Sequence, residues 1–284
     1  MSPRIFILTS LAMIAFASNS LLCRAALKQT SIDAASFTFI RMFSGAVALW
    51  LIVNLRRTTG AMCDRRAGGN WISALALFLY AAAFSFAYVG VGAGTGALLL
   101  FGAVQATMIL WGLRKGEHLC GVQIVGLIVA FIGLVLLLFP GLSAPPLSGS
   151  ILMIGAGVAW GIYSLRGKRE KNPATVTAGN FVRTVPFAAV VSIIFIPWLH
   201  LDPAGVTHAI ISGAITSGLG YVVWYSALPS LKATSAATVQ LSVPVLAAFG
   251  GILLLGEPLT LRYLLASVAI LGGIALVVLE KTRA

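Results

Sequence analysis

Apolar positions along this chain fall in long unbroken blocks. Ten blocks can be drawn, over residues 4–23, 34–55, 71–89, 94–113, 119–139, 148–166, 176–199, 207–228, 233–255 and 260–280. Each approaches the roughly 20 residues that a helix needs to cross the hydrocarbon core of a bilayer. None alternates with period two, which argues against a barrel. A helix satisfies its own backbone hydrogen bonds in lipid, so the pattern predicts an all-α integral membrane protein of ten spans. The spans use most of the chain. The longest connection, near 56–70, leaves no room for a globular domain.

Composition agrees: 59% of residues are hydrophobic and 9% are charged, where a soluble domain carries about 25% charged residues. A net charge of +12 raises the question of a nucleic-acid partner, and its placement removes it. With a cytoplasmic N-terminus, fourteen Lys and Arg fall on the cytoplasmic face, among them Arg56, Arg57, Arg114, Lys115, Arg166, Lys168 and Lys281. Three fall on the other face: Arg24, Lys28 and Arg262. That asymmetry follows the positive-inside rule and predicts two cytoplasmic termini in a cytoplasmic (inner) membrane. Anionic lipid is a secondary partner for the basic face. The first block imitates a secretory signal, with Arg4, an apolar stretch and small residues. It is read as a retained helix because the second half has a counterpart to it.

The halves resemble each other. "GEHL" from Gly116 and "GEPL" from Gly256 stand 140 residues apart. "FIRMF" (39–43) matches "FVRTV" (181–185), with Arg41 against Arg183, and "AFASNSL" from Ala15 matches "AWGIYSL" from Ala159. The matches keep one order and similar offsets. Residues 1–142 and 143–284 are therefore read as two five-helix repeats. Five is odd, so the second repeat enters the membrane upside down. Inverted repeats place a substrate site near the midplane between halves and permit alternating access.

With these motifs the chain resembles the drug/metabolite transporter superfamily, EamA branch, over essentially its whole length. Within that branch it looks like the YddG-type exporters of aromatic and other neutral amino acids. The resemblance implies a multi-pass exporter of small metabolites, amino acids first. His118 departs from it, standing where Pro258 stands in the second half.

No enzyme constellation is visible, and neither metal nor cofactor is expected. "GVGAGTG" (90–96) lacks the spacing of a nucleotide loop and is read as a hairpin between the third and fourth spans. Cys23, Cys63 and Cys120 form no disulfide framework. Every Asp and Glu lies outside the spans. Proton-coupled carriers usually keep such a group in the membrane, so a facilitative carrier is expected. The same absence argues against the first rival, a cationic-compound exporter of the same fold. The second rival, a channel or structural membrane protein, sits poorly with internal two-fold repetition.

Candidate cavity residues come from helix faces that mix aromatic and polar groups. They are Asn19, Tyr80, Phe84, Tyr88, Phe101, Gln105, Trp160, Tyr163, Tyr221, Trp224 and Gln240. Asn19 and Tyr88 lie nearer the ends of their spans than the others do. Aromatics in lipid gather at interfaces, so mid-span ones imply an interior address. Arg41 and Arg183 are intramembrane cations. Each is read as a gate, as a partner for a substrate carboxylate, or as a brace for helix-end carbonyls. Pro186 and Pro244 are expected to kink or unwind the seventh and ninth helices. Glu117 and Glu257 are expected to cap the last helix of each half. Those last helices, the most apolar, are expected outside the cavity as lipid-facing or dimer-forming elements.

Overall fold

In lipid the backbone must satisfy itself, and in the computed structural model it does so entirely with helices. The structure describes residues 3–58, 68–116, 118–139, 144–167, 172–231 and 239–280. No strand occurs among them. The first seven helices are α1 (Pro3–Gln29), α2 (Ala34–Thr58), α3 (Trp71–Tyr88), α4 (Ala93–Arg114), α5 (Gly121–Leu138), α6 (Leu147–Gly167) and α7 (Pro173–Ile194). The eighth, α8, is a 28-residue rod, Pro203–Ser230. The last two are α9 (Ser242–Leu255) and α10 (Leu261–Glu280). Eight of these ten are long and apolar enough to span a bilayer, and α9 and α10 are shorter apolar helices. Glu117 lies outside the described residues, as do the basic residues of 59–67 and 168–171.

Helix ends follow from local chemistry. Asp33 accepts from the N–H groups of Ala35 and Ser36 at 3.0 and 2.9 Å at the start of α2. Asp202 accepts from Gly205 N–H at 2.9 Å and Asn70 from Ser73 N–H at 2.8 Å. Each supplies an acceptor for a donor that a helix start leaves unpaired. Asp33 also accepts from His200 N–H at 3.1 Å, which joins the α1–α2 turn to the α7–α8 turn. The glycines of the two GE motifs sit at helix ends, with φ of +87° at Gly116 and +62° at Gly256. Gly adopts that left-handed backbone without steric penalty and ends a helix cleanly. The GE repeat thus marks where α4 and α9 stop.

The two prolines behave differently. α7 runs unbroken through Pro186, so the seventh helix is not unwound. Pro244 stands in the first turn of α9, where the missing N–H costs nothing. Just before it the helical chain breaks at Leu241, as expected when a proline ring meets the carbonyl four residues earlier.

Packing divides the bundle in two. α5 lies along α10, and both turn broad apolar faces outward: Phe131 is 66% exposed and Val268 67%. The other helices enclose the core, with α6 against α3 and α4, and α1 against α8 and α9. Lipid is as apolar as the side chains, so close backbone approach rather than the hydrophobic effect holds such helices together. Gly157 and Gly161 on α6 admit Ala103 and Thr107 of α4. Gly126 of α5 and Gly273 of α10 face each other, each occupying space where the other's carbonyl lies.

Gly273→Leu is expected to destabilise the protein by about 1–3 kcal/mol through overpacking against Gly126 and Ala130. Gly272→Leu meets open space and is expected to be neutral. Thermal unfolding of both variants in detergent checks this; equal effects would remove the close-contact argument.

Candidate functional site

The site grows from one residue. Arg41 lies about two turns into α2 and is fully buried. Its Nε donates to Ser217 Oγ at 3.3 Å and its Nη2 donates to the Tyr80 hydroxyl at 3.1 Å. Its guanidinium carbon stands 4.8 Å from the Phe84 ring centroid and 5.4 Å from that of Tyr80. Rings at that range attract a cation. Its Nη1 has no hydrogen-bond partner.

Asn19 extends this network. Its Nδ2 donates to the Tyr80 hydroxyl at 3.3 Å. Its Oδ1 accepts from Ser212 at 2.7 Å and Thr216 at 3.3 Å, with Ser217 at 3.5 Å. Those three hydroxyls come from α8, where Ser212–Leu219 winds as a π-helix between two α-helical stretches. π-turns are rare and often mark functional sites. The segment is rich in small residues, and Gly213 lies directly against the carbonyl of Arg41 and the Ser44 hydroxyl. No larger residue fits there, so small size is what brings α8 onto α2.

Aromatic rings complete the surroundings. Trp160 of α6 has the rings of Tyr80 and Tyr221 each 4.9 Å away, centroid to centroid. Phe16 meets Trp160, Tyr221 and Trp224 edge-on. Between them lies a pocket walled by Phe16, Asn19, Ser20, Tyr80, Phe84, Leu100, Phe101, Trp160 and Tyr221. Its free space is about 10 Å³, room for about one water. The rings close on one another, so a metabolite enters only if they move.

Six of the eleven cavity candidates stand on this wall: Asn19, Tyr80, Phe84, Phe101, Trp160 and Tyr221. Asn19 is central rather than near an end, because α1 continues to Gln29. Tyr88 instead packs against Gly96, at the start of α4. Trp224 stands behind Phe16. Gln105 and Gln240 are buried but off the wall. Tyr163 lines a second pocket of about 10 Å³ with Ser73, Arg166, Asn180 and Tyr225.

Arg183 does something else. Its Nη1 donates to the carbonyls of Gly68 and Gly179, both at 2.8 Å, and its guanidinium lies over Trp71 at 6.0 Å. That is a brace between α7 and the chain entering α3. Arg166 adds to the same end, donating to Ser73 Oγ at 2.9 Å and Asn70 Oδ1 at 3.2 Å.

The opposite end is tied by a pair that sequence spacing missed. Arg24 Nε meets Glu257 Oε1 at 3.1 Å, and both side chains are nearly buried, 11% and 13% exposed. Arg24 Nη1 also donates to the carbonyls of Tyr88 and Val89 at 2.8 and 2.9 Å. The other Glu257 oxygen accepts from Ala93 N–H at 2.8 Å. Glu257 therefore caps the start of α4, not the start of α10 as expected. The reason is steric: Gly92 and Gly251 leave the carboxylate its place, since a Cβ on either would lie 3.0 or 2.8 Å from Oε2.

Among the described residues, ten apolar helices, five of which wall a small polar and aromatic pocket, define a polytopic membrane protein. Known proteins resemble it in part or throughout. Residues 147–279 match the EamA-like transporter family. The chain is 57% identical over 278 residues to an uncharacterized protein of Pseudomonas aeruginosa, covering 98% of this chain and 96% of that one. An uncharacterized transporter of Archaeoglobus fulgidus is 26% identical, with 90% and 91% covered. The threonine/homoserine exporter RhtA of Escherichia coli is 35% identical over 160 residues, 54% of this chain and 53% of that exporter. One crystal structure shares the fold across 98% of both chains, with a TM-score of 0.69 at 16% identity. Over its second half, residues 147–279, the chain is similar to the EamA-like transporter family.

Removing one member of the Arg24–Glu257 pair leaves a nearly buried charge unpaired. Glu257→Ala is expected to cost about 3–5 kcal/mol. The Arg24→Ala/Glu257→Ala double variant should lose less than the sum of the single losses, with a coupling of about 1–3 kcal/mol. A thermal-unfolding cycle measures this. Additive losses would show that the two residues act separately.

Proposed function

We propose that this transporter exports neutral amino acids across the cytoplasmic membrane by alternating access between inverted repeats 1–142 and 143–284. The observation that carries the reading is the closed pocket where the halves meet. Its walls come from α1, α3 and α4 of the first half and α6 and α8 of the second. A carrier needs such a site, sealed from both sides at one stage and opened to one side at a time.

The packing pattern supports the repeat. If the halves are exchanged, the α3–α6 contact becomes α8–α1 and the α4–α6 contact becomes α9–α1. The contacts α2–α7, α4–α9 and α5–α10 map onto themselves. All of these contacts occur. Charge placement in the sequence supports cytoplasmic termini. The Arg24–Glu257 end is then the outer end, and the Arg166–Arg183 end the inner one. The broken start of α9 near Pro244 suits a bend in such a motion.

Substrate class rests on two supports. The relative with a named activity exports threonine and homoserine, and the pocket couples aromatic walls to hydrogen-bonding groups, as sites for small zwitterions do. Aromatic amino acids, the YddG-type substrates, fit the ring-lined wall and belong in the same panel. A cationic-compound exporter fits poorly, because the buried charge packed against the wall residues Tyr80 and Phe84, Arg41, is itself positive. With every acid outside the spans, transport is read as facilitative.

Proteoliposomes should show saturable counterflow of threonine, homoserine or phenylalanine without a pH gradient. Absence of saturable flux for every one of these amino acids would overturn the substrate reading. Topology has its own check. Cys120 is exposed at the start of α5, close to Arg114 and Lys115. In a Cys63→Ser background, a membrane-impermeant maleimide should label it only after cells are permeabilised. Labelling of intact cells would invert the assigned orientation.

A further inference from the structure

Against the pocket wall stands a charge with no carboxylate partner among the described residues. Arg41 is fully buried. The ion pair found among the described residues, Arg24–Glu257, lies elsewhere. Every Asp and Glu of the chain stands at the end of an apolar block or in a loop. An isolated cation in a low-dielectric interior is costly unless it is paired and hydrogen-bonded. Tyr80, Ser217 and the two rings compensate it in part, but a phenol and an alcohol bring no negative charge.

Hydrogen bonding leaves the same place incomplete. Four buried side-chain atoms among the described residues have no partner: Thr9 Oγ1, Arg41 Nη1, Tyr221 hydroxyl and Ser267 Oγ. Two of the four belong to this site. Tyr221 is on the pocket wall, near enough to Arg41 and Tyr80 to interact with both. Arg41 Nη1 and the Tyr221 hydroxyl can each donate. A guanidinium N–H and a phenol O–H brought to one ligand match the two oxygens of a carboxylate.

We propose that Arg41 Nη1 and the Tyr221 hydroxyl form the carboxylate subsite of the transporter. The inference rests on the amino-acid reading above and deepens it, by naming the group that the cavity recognises. In the closed arrangement Tyr80 and Phe84 both line the free space and pack against the guanidinium, with the Tyr80 hydroxyl bonded to Nη2. Shifting those rings admits the substrate, whose carboxylate supplies the missing charge. Asn19 and the α8 hydroxyls keep Tyr80 and Arg41 aligned. The apolar side chain of the substrate then faces Trp160 and Phe101.

The subsite is tested by ligand-induced thermal stabilisation of the full-length purified protein. The probes are L-phenylalanine, L-threonine, 3-phenylpropionate, L-phenylalaninol and L-threoninol. The carboxylates should stabilise the protein, and the alcohols should do so only at concentrations about tenfold higher or more. Tyr221→Phe removes one hydroxyl with little effect on packing. It should weaken binding of the carboxylates about tenfold and leave the alcohols unchanged. Arg41→Lys keeps the charge and should retain part of the discrimination, whereas Arg41→Gln should abolish it. Stabilisation by 3-phenylpropionate but by neither amino acid would keep the subsite and refute the amino-acid reading. Alcohols as effective as acids, or a Tyr221→Phe variant that binds acids normally, would overturn the subsite even if amino acids are transported. No stabilisation by any carboxylate would overturn both.

Discussion

A guanidinium buried inside a bundle, with no carboxylate to meet it among the described residues, constrains everything near it. Arg41 cannot shed its proton as a lysine might, so its charge stays and its surroundings must adapt. They do so in layers. Tyr80 and Ser217 take two of its donors, Phe84 and Tyr80 offer ring faces, and Asn19 ties Tyr80 to the hydroxyls of α8. These groups come from α1, α2, α3 and α8. Moving any one of those helices therefore changes the solvation of the charge. A polar network of this kind couples helix position to the state of the pocket more directly than apolar packing can, because lipid competes equally well for apolar contacts.

The same economy explains the two ends of the bundle. Helix ends in a membrane protein leave carbonyls and N–H groups that must be satisfied near the interface. At one end Arg24 holds the carbonyls that finish α3, and Glu257 holds the N–H that begins α4. The ion pair between them joins those two acts of capping. At the other end Arg183 and Arg166 take carbonyl, hydroxyl and side-chain amide oxygens around residues 68–73. Both sets grip the α3 region from opposite ends, and α3 carries Tyr80 and Phe84. The closing contacts are thus built onto the helix that walls the pocket.

Much of this was legible in the sequence, and the remainder has identifiable causes. Helical class follows from unbroken apolar blocks of bilayer length, and so does the number of long apolar helices, except that the last two of the ten are shorter than a span. Arg41, Tyr80, Trp160 and Tyr221 were visible because polar or charged residues at mid-span need an interior address. Asn19 was misplaced toward an end because its apolar block closes at residue 23, whereas the helix runs on to Gln29. Arg24 interrupts the hydrophobicity there without interrupting the helix, since its charge is met by Glu257. That partner lies 233 positions away, and no local spacing rule connects them. Glu257 was correctly seen as a capping group but assigned to the nearest helix in sequence rather than the nearest in space. The π-helix of α8 has no residue code of its own. Its hint was a run of glycines and hydroxyls between 212 and 220, which serves ordinary close packing equally well.

The two arginines matched between the proposed repeats make the final point about function. Arg41 and Arg183 occupy matching places in the proposed repeats, yet they face different tasks. Arg183 spends its donors on backbone carbonyls at the edge of the bundle, and Arg41 keeps one donor unspent at the centre. A symmetrical fold offers two equivalent conformations, open to either side. Under the proposed alternating access, unequal use of matched positions would break that equivalence: one half brings a buried charge against the pocket wall, and the other commits its arginine to backbone carbonyls. The two openings would then differ in free energy by whatever the Arg183 contacts contribute beyond those made by Arg24, so that the divergence of matched residues would bias the proposed motion.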